Sequence, residues 1–396
     1  MYQREQYATL QSRILEARRF IQVVAGPRQV GKTTMVKQVV KELAIPCTFE
    51  TADAIDSNDK DWISGVWETV RQKMLFHGQT EHLLVIDEIH KIQNWSEKVK
   101  KEWDSDTFHD CNIKVVILGS SRLLLMKGLT ESLMGRFELI RMSHWNYKEM
   151  HEAFGWDVKR YIYYGGYPGG AELIHDERRW RQYVLDAIVT PSIEKDVILT
   201  STIYKPVLMR NLFELGCSYS GEELSLNKIL GQLQDAGNVT TLGNYLTVLG
   251  ECNLLAGLQK YAKDKARKYN SVPKFLVYNS ALLSVLRDTT FEQAFTDSKQ
   301  WGRWVETAVG THLINNADLL GYHLFYWRES SNEVDYILER KGETVAIEVK
   351  SGRRTTNKGL SLFRENYSPR HSIVVGSGGI SIEEFLQLDL ALLWRD

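Results

Sequence analysis

Apolar and polar positions over the first 155 residues repeat with two different periods. Leu10, Ile14, Leu15 and Phe20 are spaced for one face of a helix within residues 1–20. Ile21–Ala25 is a short apolar run that predicts a buried strand, and Leu83–Ile86 and Lys114–Leu118 predict two more. Helical spacing returns from about Thr33 to Leu43. Strands that alternate with helices predict an α/β domain with a parallel sheet covered on both faces.

The pattern changes near residue 156. Over 156–265 apolar residues recur at helical spacing, strand-like runs are scarce, and Pro191, Pro206 and the Gly216–Gly221 stretch punctuate the chain. Leu224–Ala236, the turn Gly237-Asn238-Val239 and Thr240–Cys252 read as helix, turn, helix, with Thr240 as the start of the second helix. Leu242, Tyr245, Leu246 and Leu249 make a stripe on that helix, and Leu254–Tyr261 reads as a strand. From about 275 mixed structure resumes. Trp304–Leu313 is helical, Glu333–Glu339 and Thr344–Lys350 are strands around a turn at Arg340–Glu343, His371–Val375 is another strand, and a last helix lies near Ile382–Leu388. The expected domains are 1–155, 156–274 and 275–396.

Composition adds mostly exclusions. Hydrophobic residues are 43% and charged residues 25%, ordinary for a globular chain. With a formal net charge of -1, nucleic-acid contact must come from a local patch. One exists: residues 258–274 carry six Lys or Arg against one acid. Cys47, Cys111, Cys217 and Cys252 are far apart and form no CxxC pair, which argues against a zinc site or a disulfide framework. MYQREQYATL lacks the apolar core of a signal peptide, and no run approaches the roughly 18 apolar residues of a membrane span, so a cytoplasmic location off the membrane is expected.

The chemistry concentrates in three places. Gly26-Pro27-Arg28-Gln29-Val30-Gly31-Lys32-Thr33 fits GxxxxGK[ST], with Thr34 next in the helix. Its glycines let backbone N–H groups curl toward phosphate oxygens, and the helix that follows adds its N-terminal dipole. Lys32 should reach the β- and γ-phosphates of ATP, and Thr33 should ligate Mg²⁺. The second place is Leu83-Leu84-Val85-Ile86-Asp87-Glu88, an apolar strand ending in two acids at the carboxyl edge of the sheet. Asp87 should hold Mg²⁺ through water and Glu88 should polarise the attacking water. The third strand ends in Gly119-Ser120-Ser121; Ser120 and Ser121 are equally placed to sense the γ-phosphate, with a plain turn as the alternative. Arg136 is either an arginine finger or a surface arginine. His90 follows the acidic pair and could touch the ATP site, but by default it reads as a surface residue.

GPRQVGKTT, LLVIDEIHKIQNW, VVILGSSRLLL and SLMGRF resemble a prokaryotic branch of the AAA+ ATPases, and YYGGYPGG (163–170) and IEKDV (193–197) extend the likeness over nearly the whole chain. The resemblance implies an AAA+ core with Arg136 as its finger, acting across a subunit boundary in a homo-oligomer. It also points to a winged helix in the middle region, which would present Thr241 and Asn244 to a DNA groove and the basic run to phosphates. A helical packing module with a solvated basic loop is the other reading.

The last constellation lies near the C-terminus. Asp335 is on one expected strand, and Glu348 and Lys350 share a face of the next. Glu306, on the helix upstream, supplies a third carboxylate. Helix Glu, strand Asp and ExK resemble the PD-(D/E)xK, restriction-endonuclease-like fold. That resemblance implies Mg²⁺ or Mn²⁺ on Glu306, Asp335 and Glu348, with Lys350 stabilising charge on a phosphodiester. An ion-pair cluster at a sheet edge is the alternative, as is a nuclease fold kept for binding. Two functions follow: an ATP-hydrolysing enzyme that acts on DNA, or a nucleotide-dependent switch whose last domain grips DNA or protein without cutting.

Overall fold

Five short strands build the first sheet, all parallel: β1 (Ile21–Ala25), β2 (Cys47–Thr51), β3 (His82–Asp87), β4 (Ile113–Gly119) and β5 (Phe137–Arg141), in the order β2-β3-β4-β1-β5. The computed structural model describes residues 2–59, 61–119, 122–198, 203–232, 238–262, 271–287, 289–352 and 357–395. β1, β3 and β4 are buried at every position, as continuous apolar strands in the middle of a covered parallel sheet must be. Helices α1 (Gln6–Leu15), α2 (Lys32–Glu42), α3 (Trp62–His77), α4 (Trp95–Phe108) and α5 (Arg122–Ser132) complete the unit. Trp67, Trp95, Trp103 and Val99 from α3 and α4 pack with Leu84, Ile86, Val115 and Ile117 of the sheet in one core.

The chain divides into two compact units, residues 1–143 and 144–396. The division falls ahead of the expected boundary at 155 because the helix Tyr147–Phe154, closed by an Asn146/Glu149 capping box, packs into the second unit: Tyr147 lies against Tyr161 and donates to Glu383 at 2.6 Å. The second unit is not divided at the expected 274/275 boundary. β6 (Leu255–Leu258) and β7 (Lys274–Val277) form an antiparallel pair that runs across it.

Ahead of β6 come the helices Pro206–Ser218, Leu226–Gln232 and Val239–Glu251. The last is capped by Asn238, whose side chain accepts from Thr241 N, two residues before the expected Thr240, and it buries Leu242, Tyr245, Leu246 and Leu249 as its spacing requires. The expected turn residue Gly237 lies outside the described residues. Val184–Val189 and Ser192–Ile198 are π-helical.

A mixed sheet ends the chain: β8 (His323–Glu329), β9 (Asn332–Arg340), β10 (Glu343–Lys350) and β11 (His371–Gly376), ordered β11-β10-β9-β8, with β10 and β11 parallel and the other pairs antiparallel. The β9–β10 turn is the two residues Lys341 (φ 51°) and Gly342 (φ 85°), both left-handed, which is what a tight hairpin of matching twist needs. The helix Ser298–Leu320 covers this sheet, with Val309 and Leu313 in a core with Tyr336, Leu338, Val345 and Ile347. No helix among the described residues is long and apolar enough to cross a membrane.

Candidate functional site

β1 delivers the chain to the phosphate loop at the carboxyl edge of the first sheet. Gly26 is required there by close approach, since a Cβ would come within 2.1 Å of the Met142 carbonyl oxygen. Gly31 is required by conformation, with φ 89°. It is also the residue before α2, and no side chain caps that helix, so the first-turn N–H groups are left for an anion. Gly26, Pro27, Arg28, Gln29, Val30, Gly31, Lys32, Thr33 and Thr34 thus lie together in the loop and first turn. Lys32 is buried, and its ammonium donates to the carbonyls of Gly26 (2.9 Å) and Pro27 (2.7 Å). These two neutral acceptors hold the cation inside the loop, where phosphate oxygens would compete for it.

β3 ends at Asp87. Its Oδ2 accepts from the Thr33 hydroxyl at 2.8 Å and its Oδ1 from the Glu88 amide at 2.9 Å. Burial pushes the Asp87 carboxyl above its usual value, while Thr33 and Lys32 pull it back. One hydroxyl and one buried carboxylate in contact, beside a loop built for phosphates, suit Mg²⁺, which takes few protein ligands and keeps several waters. Glu88 has φ 54°, a left-handed conformation unusual for its residue type.

Two residues belong to this site that sequence reasoning did not assign. His90 is buried rather than exposed at its side chain (5%), and its Nε2 lies 3.5 Å from Glu88 Oε2. β4 ends in glycine because His90 packs there: a Cβ on Gly119 would meet His90 Nδ1 at 2.9 Å. Arg4, also buried, donates to the Val30 carbonyl at 2.7 Å and to the Ser143 carbonyl at 3.0 Å, tying the phosphate loop to the segment after β5. A lone arginine before the first helix gave no signal of this.

β4 lies between β1 and β3, so its carboxyl end falls between the two motifs as expected. Ser120 and Ser121 themselves lie outside the described residues. Arg136 opens into β5 and makes a two-pronged ion pair with Asp104, Nε–Oδ1 2.7 Å and Nη2–Oδ2 3.0 Å.

In the second unit the predicted acids do converge. Asp335 Oδ2 accepts from the Val349 amide at 2.7 Å, joining β9 to β10 beyond their last register pair, Ile347 with Tyr336. Glu348 Oε1 meets the Lys350 ammonium, and Glu348 Oε2 is buried with no partner among the described residues. Glu306 arrives from the covering helix. The sequence reading missed Lys274, whose buried ammonium lies 2.5 Å from Glu306 Oε1 and 3.7 Å from Asp335 Oδ1 and also donates to the Asp335 carbonyl at 3.3 Å. Burial alone would lower Lys274, but Glu306 and Asp335 outweigh it and hold its pKa above the ordinary value. Burial pushes Glu306 and Glu348 up, with Asp335 adding to both. One ammonium shared by two carboxylates leaves surplus negative charge, which favours a proton on an acid.

This set does not fit the Mg²⁺ or Mn²⁺ expected on Glu306, Asp335 and Glu348. The cation between Glu306 and Asp335 is Lys274, and among the described residues no three His, Cys, Asp or Glu side chains are placed to hold one metal ion together. The basic run divides as well. Lys274 is buried, not phosphate-facing, Lys260 joins the sheet through a bridge to Tyr326, and Lys263, Lys265, Arg267 and Lys268 lie outside the described residues.

The family described as "AAA domain" matches residues 18–151, in keeping with a parallel sheet that carries a phosphate loop after β1 and an acidic pair after β3, the arrangement of an AAA-like P-loop ATPase. Two families described as domains of unknown function, DUF8612 and DUF4143, match 155–293 and 301–386. The chain is similar to an uncharacterized protein of Mycobacterium tuberculosis, 25% identical over 342 residues, covering 86% of this chain and 71% of that one. An uncharacterized protein of Methanocaldococcus jannaschii is 23% identical over 344 residues, covering 80% and 72%. Among solved structures, a Walker-type ATPase of Pyrococcus abyssi aligns with TM-score 0.51 and 12% identity over 72% of this chain and 96% of that one, a likeness of fold.

Proposed function

We propose that this protein is an ATP-hydrolysing molecular switch: the first unit binds and cleaves Mg²⁺-ATP, and the second engages DNA. The observation that carries the reading is the Thr33–Asp87 hydrogen bond beside the buried Lys32, since it joins the two halves of the nucleotide site. When ATP enters, Lys32 exchanges the Gly26 and Pro27 carbonyls for β- and γ-phosphate oxygens, a charge-assisted gain. Thr33 and Asp87 would hold Mg²⁺, which would supply charge neutralisation at the phosphates. Glu88 orients the attacking water and takes its proton, with His90 Nε2, 3.5 Å from its Oε2, helping to position the carboxylate. Arg136 serves a neighbouring chain in a homo-oligomer.

Three helices followed by an antiparallel pair have the element order of a winged helix, and Asn244 is exposed on the third helix. Cleavage of DNA at Asp335, Glu348 and Lys350 is not carried forward, because Lys274 stands where the metal would act. The test is ATP turnover by the full chain with and without Mg²⁺ and with and without duplex DNA. Turnover that is Mg²⁺-dependent, lost in Asp87→Asn and altered by DNA supports the reading. Turnover indifferent to Asp87→Asn sinks it.

A further inference from the structure

Carboxylates from a helix and two strands meet at one sheet edge in the second unit, a placement that ordinarily needs a cation to offset it. Three buried or half-buried acids, Glu306, Asp335 and Glu348, lie there with two ammonium groups. Lys350 is on the same strand as Glu348 and serves that acid. Lys274 comes from elsewhere, the β6–β7 pair, and its ammonium enters between the helix acid and the strand acid. Around it the packing is specific. The Tyr336 ring lies 4.9 Å beneath the ammonium, and the Tyr336 hydroxyl donates to the Glu306 carbonyl at 2.8 Å. Gly310 is needed to admit that hydroxyl, since a Cβ there would stand 2.4 Å from it.

We infer that Lys274 is a built-in replacement for a divalent cation: its ammonium holds Glu306 and Asp335 together, so this edge keeps the layout of a metal-dependent phosphodiester-cleaving site while excluding the metal. A lysine supplies one positive charge, three N–H donors and no open coordination position. A metal ion, by contrast, accepts lone pairs from every carboxylate and still binds water. The ammonium therefore satisfies the acids structurally and leaves no activated water. It also bolts the β6–β7 pair to the mixed sheet by charge. Glu348 Oε2, buried without a partner among the described residues, is the acceptor left over when the cation is a lysine bound to the other two acids.

The experiment is Mn²⁺ binding to the full chain, read by loss of the free-ion electron paramagnetic resonance signal, in an Asp87→Asn background so that the ATP site contributes no metal. That background also keeps this inference separable from the ATPase reading. The parent is expected to take up no Mn²⁺ in the millimolar range. Lys274→Met, which opens the space between the carboxylates, should bind Mn²⁺ at least about tenfold tighter than the parent. Its unfolding temperature should fall below the parent's and rise again on adding Mn²⁺, and both effects should vanish in Lys274→Met/Asp335→Asn. Should Lys274→Met fail to fold, Lys274→Met/Glu306→Gln removes one charge of each sign and is expected to show the same Mn²⁺ gain on Asp335 and Glu348. Parental binding that Asp335→Asn abolishes would overturn the inference. So would a folded Lys274→Met that binds no Mn²⁺ or unfolds at the parental temperature.

Discussion

The amide of Ile21 donates to the carbonyl of Arg136 at 2.9 Å, which fixes Arg136 at the edge of the sheet where β1 begins, while the phosphate loop leaves from the edge where β1 ends. Five strand residues separate the two edges, about 16 Å at roughly 3.3 Å per residue. An arginine so placed cannot reach the phosphates of its own chain. If it acts as a finger it does so on a neighbour, and Asp104 holds the guanidinium until then. Chains with Arg136→Ala mixed with chains with Lys32→Ala should recover ATP turnover that neither has alone, because one kind of interface then carries both intact groups. A finger contributes roughly a thousandfold or more to turnover. A mixture shown to co-assemble that regains nothing would end the finger assignment.

Lys32 and Glu88 should separate binding from chemistry. Lys32 meets the phosphates in ground state and transition state alike, so Lys32→Ala should weaken ATP binding and abolish turnover. Glu88 acts on water, so Glu88→Gln should bind ATP as the parent does and turn it over about 10²–10⁴ times more slowly, the usual size of a general-base effect. Fluorescent-nucleotide titration and a phosphate-release assay check both. Parental turnover in Glu88→Gln would remove Glu88 from catalysis.

Arg4 touches neither phosphate nor metal, yet it should behave as a positioning residue. Its guanidinium binds the carbonyl of Val30, immediately before Gly31 and Lys32. A hydrogen bond from a charged donor is worth roughly 1.5–3 kcal/mol. Loss of this anchor should loosen the loop, so Arg4→Met should raise the KM for ATP about tenfold or more while kcat changes little. Arg4→Lys, which can reach only one of the two carbonyls, should recover part of the affinity. Equal losses in KM and kcat across both variants would mean the contact is merely structural.

How much of this was legible in the sequence depended on whether a residue's environment could be inferred from its neighbours. β1, β3 and β4 are apolar throughout and were read correctly. β2 (CTFET) and β5 (FELIR) were not, because edge strands are covered on fewer sides and carry Thr, Glu and Arg among their apolar residues. β8 was missed because HLFYWRE mixes aromatic and charged residues without a clean period. Asp335, Glu348 and Lys350 were placed together by hairpin alternation, and Glu306 was added from the helix upstream. Lys274 was not, since a lysine at the end of a basic run reads as solvated, and only the tertiary fold carries it inward between two acids. His90 was misjudged for the same reason: nothing local shows that Gly119 leaves room for it.

His312 gives the clearest dependence of stability on pH. It lies on the helix Ser298–Leu320, buried, with its ring edge-on to Phe385 at 5.9 Å. Burial pushes its pKa from 6.5 down to about 4, with the Leu388 backbone opposing. Between these values the unfolded chain binds a proton that the folded chain refuses, so stability rises with pH across that window. The penalty is absent above the unfolded value of 6.5, grows as pH falls toward 4, and is complete below it. A shift of this size corresponds to about 3 kcal/mol. The second unit should therefore lose denaturant resistance between pH 7 and pH 4 beyond what its surface acids cause. His312→Leu, which keeps the ring's apolar contact with Phe385 and cannot protonate, should flatten that part of the profile while costing about 1–2 kcal/mol near neutral pH through imperfect packing. Urea midpoints for parent and variant at several pH values check it, and parallel profiles would show that His312 is not the group being titrated.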